Sequence, residues 1–169
     1  MKIVLLGYMA SGKSVVGTIL ATKLGTQCID LDHYIEENEG LKISQLFESK
    51  GEIYFRKIEA FYLVELLNQN KDIIISLGGG TPCYGKNMEL IERKSISFYL
   101  NASINTLFER LKGETSKRPL VATIGEENLK EYIAKHLFER SNFYNKAQHT
   151  ILVNDKSVFE IVAKIKQLL

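Results

Sequence analysis

The sequence predicts an α/β protein, a three-layer α/β/α sandwich around a five-stranded parallel sheet. Five short apolar segments alternate along the chain with segments of helical spacing, which is the pattern of a parallel sheet covered by helices. The segment 72–77 is almost continuously apolar, as expected for a strand buried on both faces. The chain has 169 residues, 45% of them hydrophobic, which suffices for one core and not for two ordinary domains. We therefore expect a single domain covering residues 1–169.

Local sequence patterns predict each strand and helix in turn. Apolar runs bounded by turn signals predict the strands at 3–6, 26–31, 72–77, 96–100 and 150–153. Helical spacing predicts the helices at 15–24, 33–68, 86–93, 103–111, 126–146 and from 157 onward. Gly40 and Gly51 predict breaks within the second of these helical segments. Ser103 is a candidate cap, and Ser157 with Glu160 forms a capping-box pattern before the last helix.

The segment from Gly7 to Ser14 has the pattern G-x-x-x-x-G-K-S between the first strand and the first helix. Its glycines let successive backbone N–H groups point at a polyphosphate, and the helix N-terminus adds positive charge there. Lys13 can reach the β- and γ-phosphates, and Ser14 can offer its hydroxyl to Mg²⁺. The alternative is a glycine turn with an incidental lysine, but the strand and helix on either side favour a nucleotide site.

Two other strand ends carry unusual residues, and ligands of such sheets bind at the carboxyl ends of strands. Asp30 and Asp32 follow the second strand; on an extended segment they would face the same side and could serve Mg²⁺ and a substrate hydroxyl. Alternatively, Asp32 only caps the next helix. Gly78-Gly79-Gly80 follows the third strand, where bare backbone lets a ligand come close, or where it is only a flexible turn.

Two arginines are candidates for binding an anion. Arg56 has Glu52 four residues before it and Glu59 three after it, which can equally be a solvated ladder of ion pairs. Arg140 falls on the apolar stripe of its helix, and an inward guanidinium needs an anionic partner. That partner can be an internal carboxylate or an anionic ligand.

Composition limits the partners. With 22 Lys+Arg against 20 Asp+Glu, the chain is too evenly charged for a dedicated nucleic-acid binder. No stretch of 18 apolar residues occurs, so we expect a cytoplasmic protein with no membrane partner. Cys28 and Cys83 lack metal-ligand spacing and are expected to be reduced thiols. The polar, aperiodic segment 112–124 is expected to be a mobile excursion.

Six motifs in chain order carry a family resemblance: Gly7 to Ser14, Asp30-Leu31-Asp32, Phe55-Arg56 with Glu59, Gly78-Gly79-Gly80, Arg118-Pro119-Leu120, and Arg140 with Tyr144. In these motifs, and over essentially its whole length, the chain resembles the shikimate kinase family. The resemblance implies a P-loop kinase type of fold, with a substrate-binding helical insert at about 32–60 and a mobile lid at about 112–124.

The resemblance also implies site residues. The positions that match nucleotide contacts are Gly7, Ala10, Ser11, Gly12, Lys13, Ser14, Val15, Arg110 beside the adenine, and Arg118. Ser14 would hold Mg²⁺ directly and Asp30 through water. Many members have glycine where this chain has Ala10.

On the substrate side, the resemblance implies that Asp32 contacts the acceptor hydroxyl and that Arg56 and Arg140 bind the carboxylate. The ring would lie against Gly78, Gly79 and Gly80, and the pocket wall would comprise Ile43, Phe47, Phe55, Pro119 and Leu120. Lys13, Asp32 and Arg118 would be the catalytic residues.

The activity implied is ATP- and Mg²⁺-dependent phosphorylation of the 3-hydroxyl of shikimate, giving shikimate 3-phosphate and ADP, in aromatic amino acid biosynthesis by a monomeric enzyme. One alternative is a gluconate or nucleoside monophosphate kinase, against which the Asp30/Asp32 pair and the triple glycine argue. Another is a non-catalytic nucleotide-binding regulator, which would have no need of an arginine such as Arg118 in a lid.

Overall fold

The computed structural model describes residues 1–113 and 119–169, and it contains the five-stranded parallel sheet that the sequence predicts. The strands are β1 (Lys2–Leu6), β2 (Gln27–Asp30), β3 (Ile73–Ser76), β4 (Ile96–Asn101) and β5 (His149–Leu152). They lie in the order β2-β3-β1-β4-β5, and every neighbouring pair is parallel. The carboxyl ends of all five strands therefore lie along the same edge of the sheet.

Helices connect the strands. They are α1 (Lys13–Leu24), α2 (Leu31–Glu39), α3 (Ile43–Asn68), α4 (Asn87–Lys94), α5 (Ile104–Leu111), α6 (Pro119–Ile124), α7 (Glu126–Tyr144) and α8 (Val158–Gln167). A 3-10 turn, Thr81–Cys83, follows β3. The two predicted breaks are confirmed: Gly40 ends α2 and Gly51 kinks α3, both with positive φ angles that suit glycine. The predicted caps of α5 and α8 are confirmed as well.

The core lies on both faces of β1, which pairs with β3 on one side and β4 on the other. Residues Ile3 to Leu6 are all buried, as are Ile73 to Ile75 of β3, which explains the continuous apolar character of both strands. Helix α1 packs against β1, β2, β3 and α8, whereas α4 packs against β4 and α3. Because β1 is central, the loop that follows it lies in the middle of the carboxyl edge.

The second strand is shorter than predicted, and this changes the expected geometry of its acidic pair. The side chain of Asp30 accepts hydrogen bonds from the backbone N–H groups of Asp32 (3.1 Å) and His33 (3.3 Å). This capping starts α2 at Leu31, so Asp32 lies in the first helical turn and not on an extended segment with Asp30. The interpretation of Asp32 as the helix cap is also wrong, since Asp30 is the cap.

The segment 112–124 contains more regular structure than its sequence suggests. Residues Pro119–Ile124 form α6, and Val121 in it is only 2% exposed. The expectation of an aperiodic excursion is wrong for these residues, because the buried side chain of Val121 provides an apolar anchor that a search for long periodicity misses. Arg118 lies outside the described residues.

Within residues 1–113 and 119–169, none of the helices combines the length and the apolar character that crossing a membrane requires.

Candidate active site

The loop after β1 has the backbone of a phosphate-binding loop. Gly7 has φ 147° and Gly12 has φ 100°, both in the region that favours glycine. A Cβ atom on Gly7 would lie 2.7 Å from the carbonyl oxygen of Leu100, so no larger residue fits there. Gly12 is the N-cap of α1 and provides no side-chain cap, and no acidic residue occupies the first turn. The N–H groups of that turn are therefore suited to an anion.

Two polar side chains of this loop lie close to where an anion would bind. The ammonium of Lys13 donates to the carbonyl oxygens of Gly7 and Tyr8, each at 2.9 Å, so it lies over the loop. The hydroxyl of Ser11 is buried and has no hydrogen-bond partner among the described residues. A buried hydroxyl in this position can donate to a phosphate oxygen without breaking another bond.

Ala10, the position where the family resemblance leads us to expect glycine, adopts φ 61°. Alanine reaches this left-handed conformation at a cost of about 1 kcal/mol, so the loop keeps the shape that glycine would take freely. The carbonyl oxygen of Ala10 accepts a hydrogen bond of 2.9 Å from Nη1 of Arg110. This bond ties the end of α5 to the loop and places Arg110 beside it.

Ser14 and Asp30 form a pair of oxygen ligands next to the loop. The Ser14 hydroxyl donates to Oδ2 of Asp30 at 3.1 Å, while Oδ1 of the same carboxylate caps α2. A hydroxyl and a carboxylate are hard oxygen donors of the kind that Mg²⁺ takes, together with water and phosphate oxygens. The donor chemistry therefore fits a magnesium ion held in part by a bound nucleotide.

The triple glycine is surrounded by the three charged residues that the sequence singles out. A Cβ atom on Gly78 would lie 2.9 Å from Oδ1 of Asp32. On Gly79 it would lie 3.3 Å from Nη1 of Arg140. On Gly80 it would lie 2.9 Å from Nη2 of Arg56. A carboxylate and two guanidiniums from three different helices thus converge on the triple glycine, which favours a binding role over a flexible turn alone.

Arg56 is held by the protein on several sides. Its Nη1 donates to Oε2 of Glu59 at 2.8 Å, and its Nε lies 3.4 Å from Oε1 of Glu52. Both ion pairs of the expected ladder therefore exist, but the expectation that they are solvated is wrong for Glu59, which is 1% exposed. Burial of this carboxylate requires that its charge be compensated, and Arg56 does so.

Arg140 lies on the inward face of α7, as the apolar stripe predicts. Leu129, Ile133 and Tyr144 on the same face are buried, and the guanidinium carbon of Arg140 lies 5.7 Å from the centre of the Tyr8 ring. Among the ion pairs of residues 1–113 and 119–169, none involves Arg140. The internal carboxylate that was the alternative to a ligand is not found in that part of the chain.

The carboxyl group of Asp32 has an unusual pKa. Burial raises it from an ordinary 3.8 to about 6, and the nearby carboxylates of Asp30 and Glu59 act in the same direction, against Lys13 and Arg56, which lower it. The group is therefore ionised at neutral pH yet close enough to neutrality to exchange a proton. A carboxyl group tuned in this way is suited to general acid–base chemistry.

The phosphate loop and the acidic pair border a cleft of about 580 Å³ along the carboxyl edge of the sheet, whereas Arg56 lines a second cavity of about 540 Å³ together with Glu52 and Tyr84. The lining of the first cleft includes the phosphate loop from Met9 to Val15, the pair Asp30 and Asp32, Gly78 and Gly79, and, at the other end, Arg110. A kinase could place a nucleoside triphosphate against the loop and an acceptor against the triple glycine.

The model of the shikimate kinase family matches residues 9–169. The chain belongs to the shikimate kinase family. It is 50% identical over 169 residues to the shikimate kinase of Flavobacterium johnsoniae, with 99% of this chain and 98% of that protein covered. The other kinases that the sequence left open, and the non-catalytic regulator, are not favoured.

Solved shikimate kinases have the same fold. The shikimate kinase of Bacteroides thetaiotaomicron matches with a TM-score of 0.93 at 34% identity, covering 99% of this chain and 97% of that one. The enzyme of Acinetobacter baumannii in complex with shikimate matches with a TM-score of 0.88 at 33% identity, covering 99% and 91%. The predicted α/β fold of P-loop kinase type is confirmed.

The residues expected to form the pocket wall belong to two helices, α3 and α6. Phe47 and Phe55 of α3 contact each other with ring centres 4.6 Å apart, and both rings lie near the guanidinium of Arg56. Ile43 lies one helical turn before Phe47 and is half-buried. Pro119 and Leu120 begin α6, but their side chains lie outside the described part of the structure.

Sequence reasoning missed several residues of the shikimate kinase cleft. Lys156, Val158 and Ile161 line it near Arg110, and Thr81 lies beside Gly78. The signal for the first three was available, since they follow β5 and so belong to the same carboxyl edge. No sequence pattern marks Thr81, whose burial depends on α3, α4 and α7 packing around the turn.

Proposed function

We propose that this chain phosphorylates the 3-hydroxyl of shikimate with ATP, giving shikimate 3-phosphate and ADP. The observation that carries the proposal is the convergence of Asp32, Arg56 and Arg140 on the triple glycine, the first two residues of which line the same cleft as the phosphate loop. The proposal extends to a cytoplasmic, monomeric enzyme of aromatic amino acid biosynthesis.

The two arginines account for an acidic acceptor. Guanidinium groups bind a planar carboxylate through paired N–H donors, and Arg56 and Arg140 approach the glycines from α3 and α7 respectively. Glycine at 78–80 lets the ring of the acceptor approach the backbone, and Phe47 with Phe55 supplies an apolar wall.

The phosphate loop positions the transferred group. Lys13 and the N–H groups at the start of α1 would bind the phosphate oxygens, and Arg110 with Lys156 would flank the adenosine end of the cleft. Asp32 would accept a hydrogen bond from the acceptor hydroxyl and orient it, or take its proton. Ser14 and, through water, Asp30 would hold Mg²⁺, which when bound supplies positive charge to the phosphate oxygens.

Arg118 is proposed from the sequence motif alone, as a residue of a lid at about 112–124 that contacts the phosphates. Arg118→Ala should lower kcat by about 10²-fold or more, because a guanidinium that meets the transferred phosphoryl group acts mainly in the transition state. ATP affinity measured by calorimetry without shikimate should change little. A variant with normal kcat would remove Arg118 from the mechanism. Lys117→Ala is the matched control.

Activity should depend on pH through Asp32. Its pKa of about 6 in the free protein means that the carboxylate is lost as pH falls, so kcat/KM for shikimate should fall about tenfold per unit below that value. The rate should be measured between about pH 5 and pH 8, with circular dichroism at each pH as a check on folding. A profile that stays flat while the protein stays folded would contradict a role for ionised Asp32.

Arg56→Lys and Arg140→Lys should each raise KM for shikimate by about tenfold or more, since lysine keeps the charge but loses the forked geometry. KM for ATP should change less than about twofold, because both guanidiniums lie against the triple glycine, on the proposed acceptor side of the site. Steady-state kinetics with each substrate varied gives both values. An equal rise in the two would mean that the arginines support the fold or the nucleotide.

The position of phosphorylation tests the proposed reaction itself. After incubation with ATP, Mg²⁺ and shikimate, ³¹P–¹H correlation spectroscopy should show a new phosphate monoester coupled to the proton on carbon 3 of the ring. Coupling to another ring proton, or no new monoester at all, would refute the proposal.

A further inference from the structure

The turn that follows the triple glycine contains a hydroxyl with no place in the reaction described above. Thr81 is fully buried, and its Oγ1 donates to Oε1 of Glu59 at 2.6 Å. The second oxygen of this carboxylate, Oε2, accepts from Nη1 of Arg56 at 2.8 Å. A continuous hydrogen-bonded chain therefore runs from Thr81 through Glu59 to Arg56.

A second side chain of the same turn contacts Arg56 directly. The centre of the Tyr84 ring lies 3.8 Å from the guanidinium carbon of Arg56, a distance typical of a cation–π contact. The Tyr84 hydroxyl donates to Oε1 of Glu52 at 2.9 Å, and the same oxygen lies 3.4 Å from Nε of Arg56. Tyr84 thus covers one face of the guanidinium and fixes the carboxylate on its Nε side.

These contacts determine which part of Arg56 is left for a ligand. Glu59 accepts from Nη1 and Glu52 lies at Nε, so neither of these two ion pairs uses Nη2. The guanidinium lies against Gly80, where a Cβ atom would be 2.9 Å from Nη2 and 3.1 Å from Nη1. An arginine side chain has several rotatable bonds, and holding it in one orientation ordinarily costs conformational entropy on binding. Here the protein has already fixed it.

We propose that Thr81 and Tyr84 are positioning residues that hold Arg56 in the orientation that receives the carboxylate of the substrate, Thr81 through Glu59 and Tyr84 by stacking. This inference rests on the proposed function. The backbone of the turn is anchored independently, since Nδ2 of the buried Asn87 donates to the Thr81 carbonyl oxygen at 2.9 Å. Changing the Thr81 side chain therefore removes the hydroxyl and leaves this anchor in place.

Thr81→Val and Thr81→Ser form a matched pair, because valine has the shape of threonine without its hydroxyl and serine keeps the hydroxyl. Losing a hydrogen bond to a charged group should raise KM for shikimate about tenfold in Thr81→Val, whereas Thr81→Ser should stay within about threefold of the unaltered chain. KM for ATP should stay within about twofold in both. Tyr84→Leu should also raise KM for shikimate, and more than Tyr84→Phe, which keeps the ring.

A double-mutant cycle with Arg56→Lys separates positioning from packing. If Thr81 acts through Arg56, adding Thr81→Val to Arg56→Lys should raise KM for shikimate much less than it does in the unaltered chain. Additive effects, an equal rise in KM for ATP, or a Thr81→Ser variant as impaired as Thr81→Val would each overturn the inference. If Thr81→Val does not fold, the same double-mutant cycle is run with Tyr84→Leu and Arg56→Lys, and the additivity of their effects on KM for shikimate tests the inference.

Failure of the proposed function would look different from failure of this inference. If the unaltered chain does not phosphorylate shikimate, the proposed function falls and the positioning role falls with it. If the unaltered chain does so and Thr81→Val and Tyr84→Leu both keep a normal KM for shikimate, only the positioning role is refuted.

Discussion

Replacing Lys13 with alanine should lower kcat by about 10²- to 10³-fold, the usual effect of removing one donor that stabilises transition-state charge. The ammonium lies over the phosphate loop, bonded to the carbonyl oxygens of Gly7 and Tyr8, where it can move to the phosphates of a bound nucleotide. The thermal midpoint should change little, because the loop is at a surface cleft and the N-cap position of α1 is Gly12, not Lys13.

Lys23→Ala is the matched control for this prediction. Lys23 lies in the last turn of the same helix and is exposed, so its replacement removes the same charge from α1 at a distance from the cleft. Its kcat should be that of the unaltered chain. Comparable rates in Lys13→Ala and Lys23→Ala would refute the interpretation of Gly7 to Ser14 as a catalytic phosphate loop.

Asp32→Asn should lower kcat by about 10²- to 10⁴-fold, the range that positioned acid–base groups contribute. Asparagine keeps the size of the side chain and loses the charge that orients the acceptor hydroxyl.

The same substitution should stabilise the folded protein. The pKa of Asp32 is raised to about 6 from 3.8, so the folded state disfavours its ionised form and loses stability as pH rises between those values. Above them, Asp32→Asn should therefore raise the thermal midpoint.

The control here is Glu37→Gln, which removes one negative charge from the exposed side of the same helix. It should leave both kcat and the pH profile unchanged. A lower thermal midpoint in Asp32→Asn with normal activity per folded molecule would show that Asp32 supports the fold and not the reaction.

Much of the fold could be predicted because its signals are local. Segments such as Ile73 to Ile75 are apolar whatever surrounds them, and Gly40 and Gly51 mark breaks by a backbone preference of the residue itself. The motif from Gly7 to Ser14 likewise determines its own backbone geometry. The phosphate loop can therefore be recognised from the sequence without knowing the order of the strands.

The parts that could not be predicted depend on tertiary contacts. Spacing alone pairs Arg56 with Glu52 and Glu59 equally, and only the tertiary structure shows that Glu59 is buried and hydrogen-bonded to Thr81. The predicted geometry of Asp32 is wrong because the side chain of Asp30 caps α2. The strand therefore ends at Asp30, and Asp32 lies in the first turn of the helix. Lys156 reaches the cleft only because β5 ends at the same edge as β1.

The most direct test of the central claim is ADP release by the purified chain with ATP and Mg²⁺, measured in parallel with shikimate, gluconate and nucleoside monophosphates as acceptors. The convergence of Asp32, Arg56 and Arg140 on the triple glycine predicts rapid release with shikimate and only the acceptor-free background with the others. Release that is as fast with gluconate or a nucleoside monophosphate, or that shikimate does not increase, would contradict it.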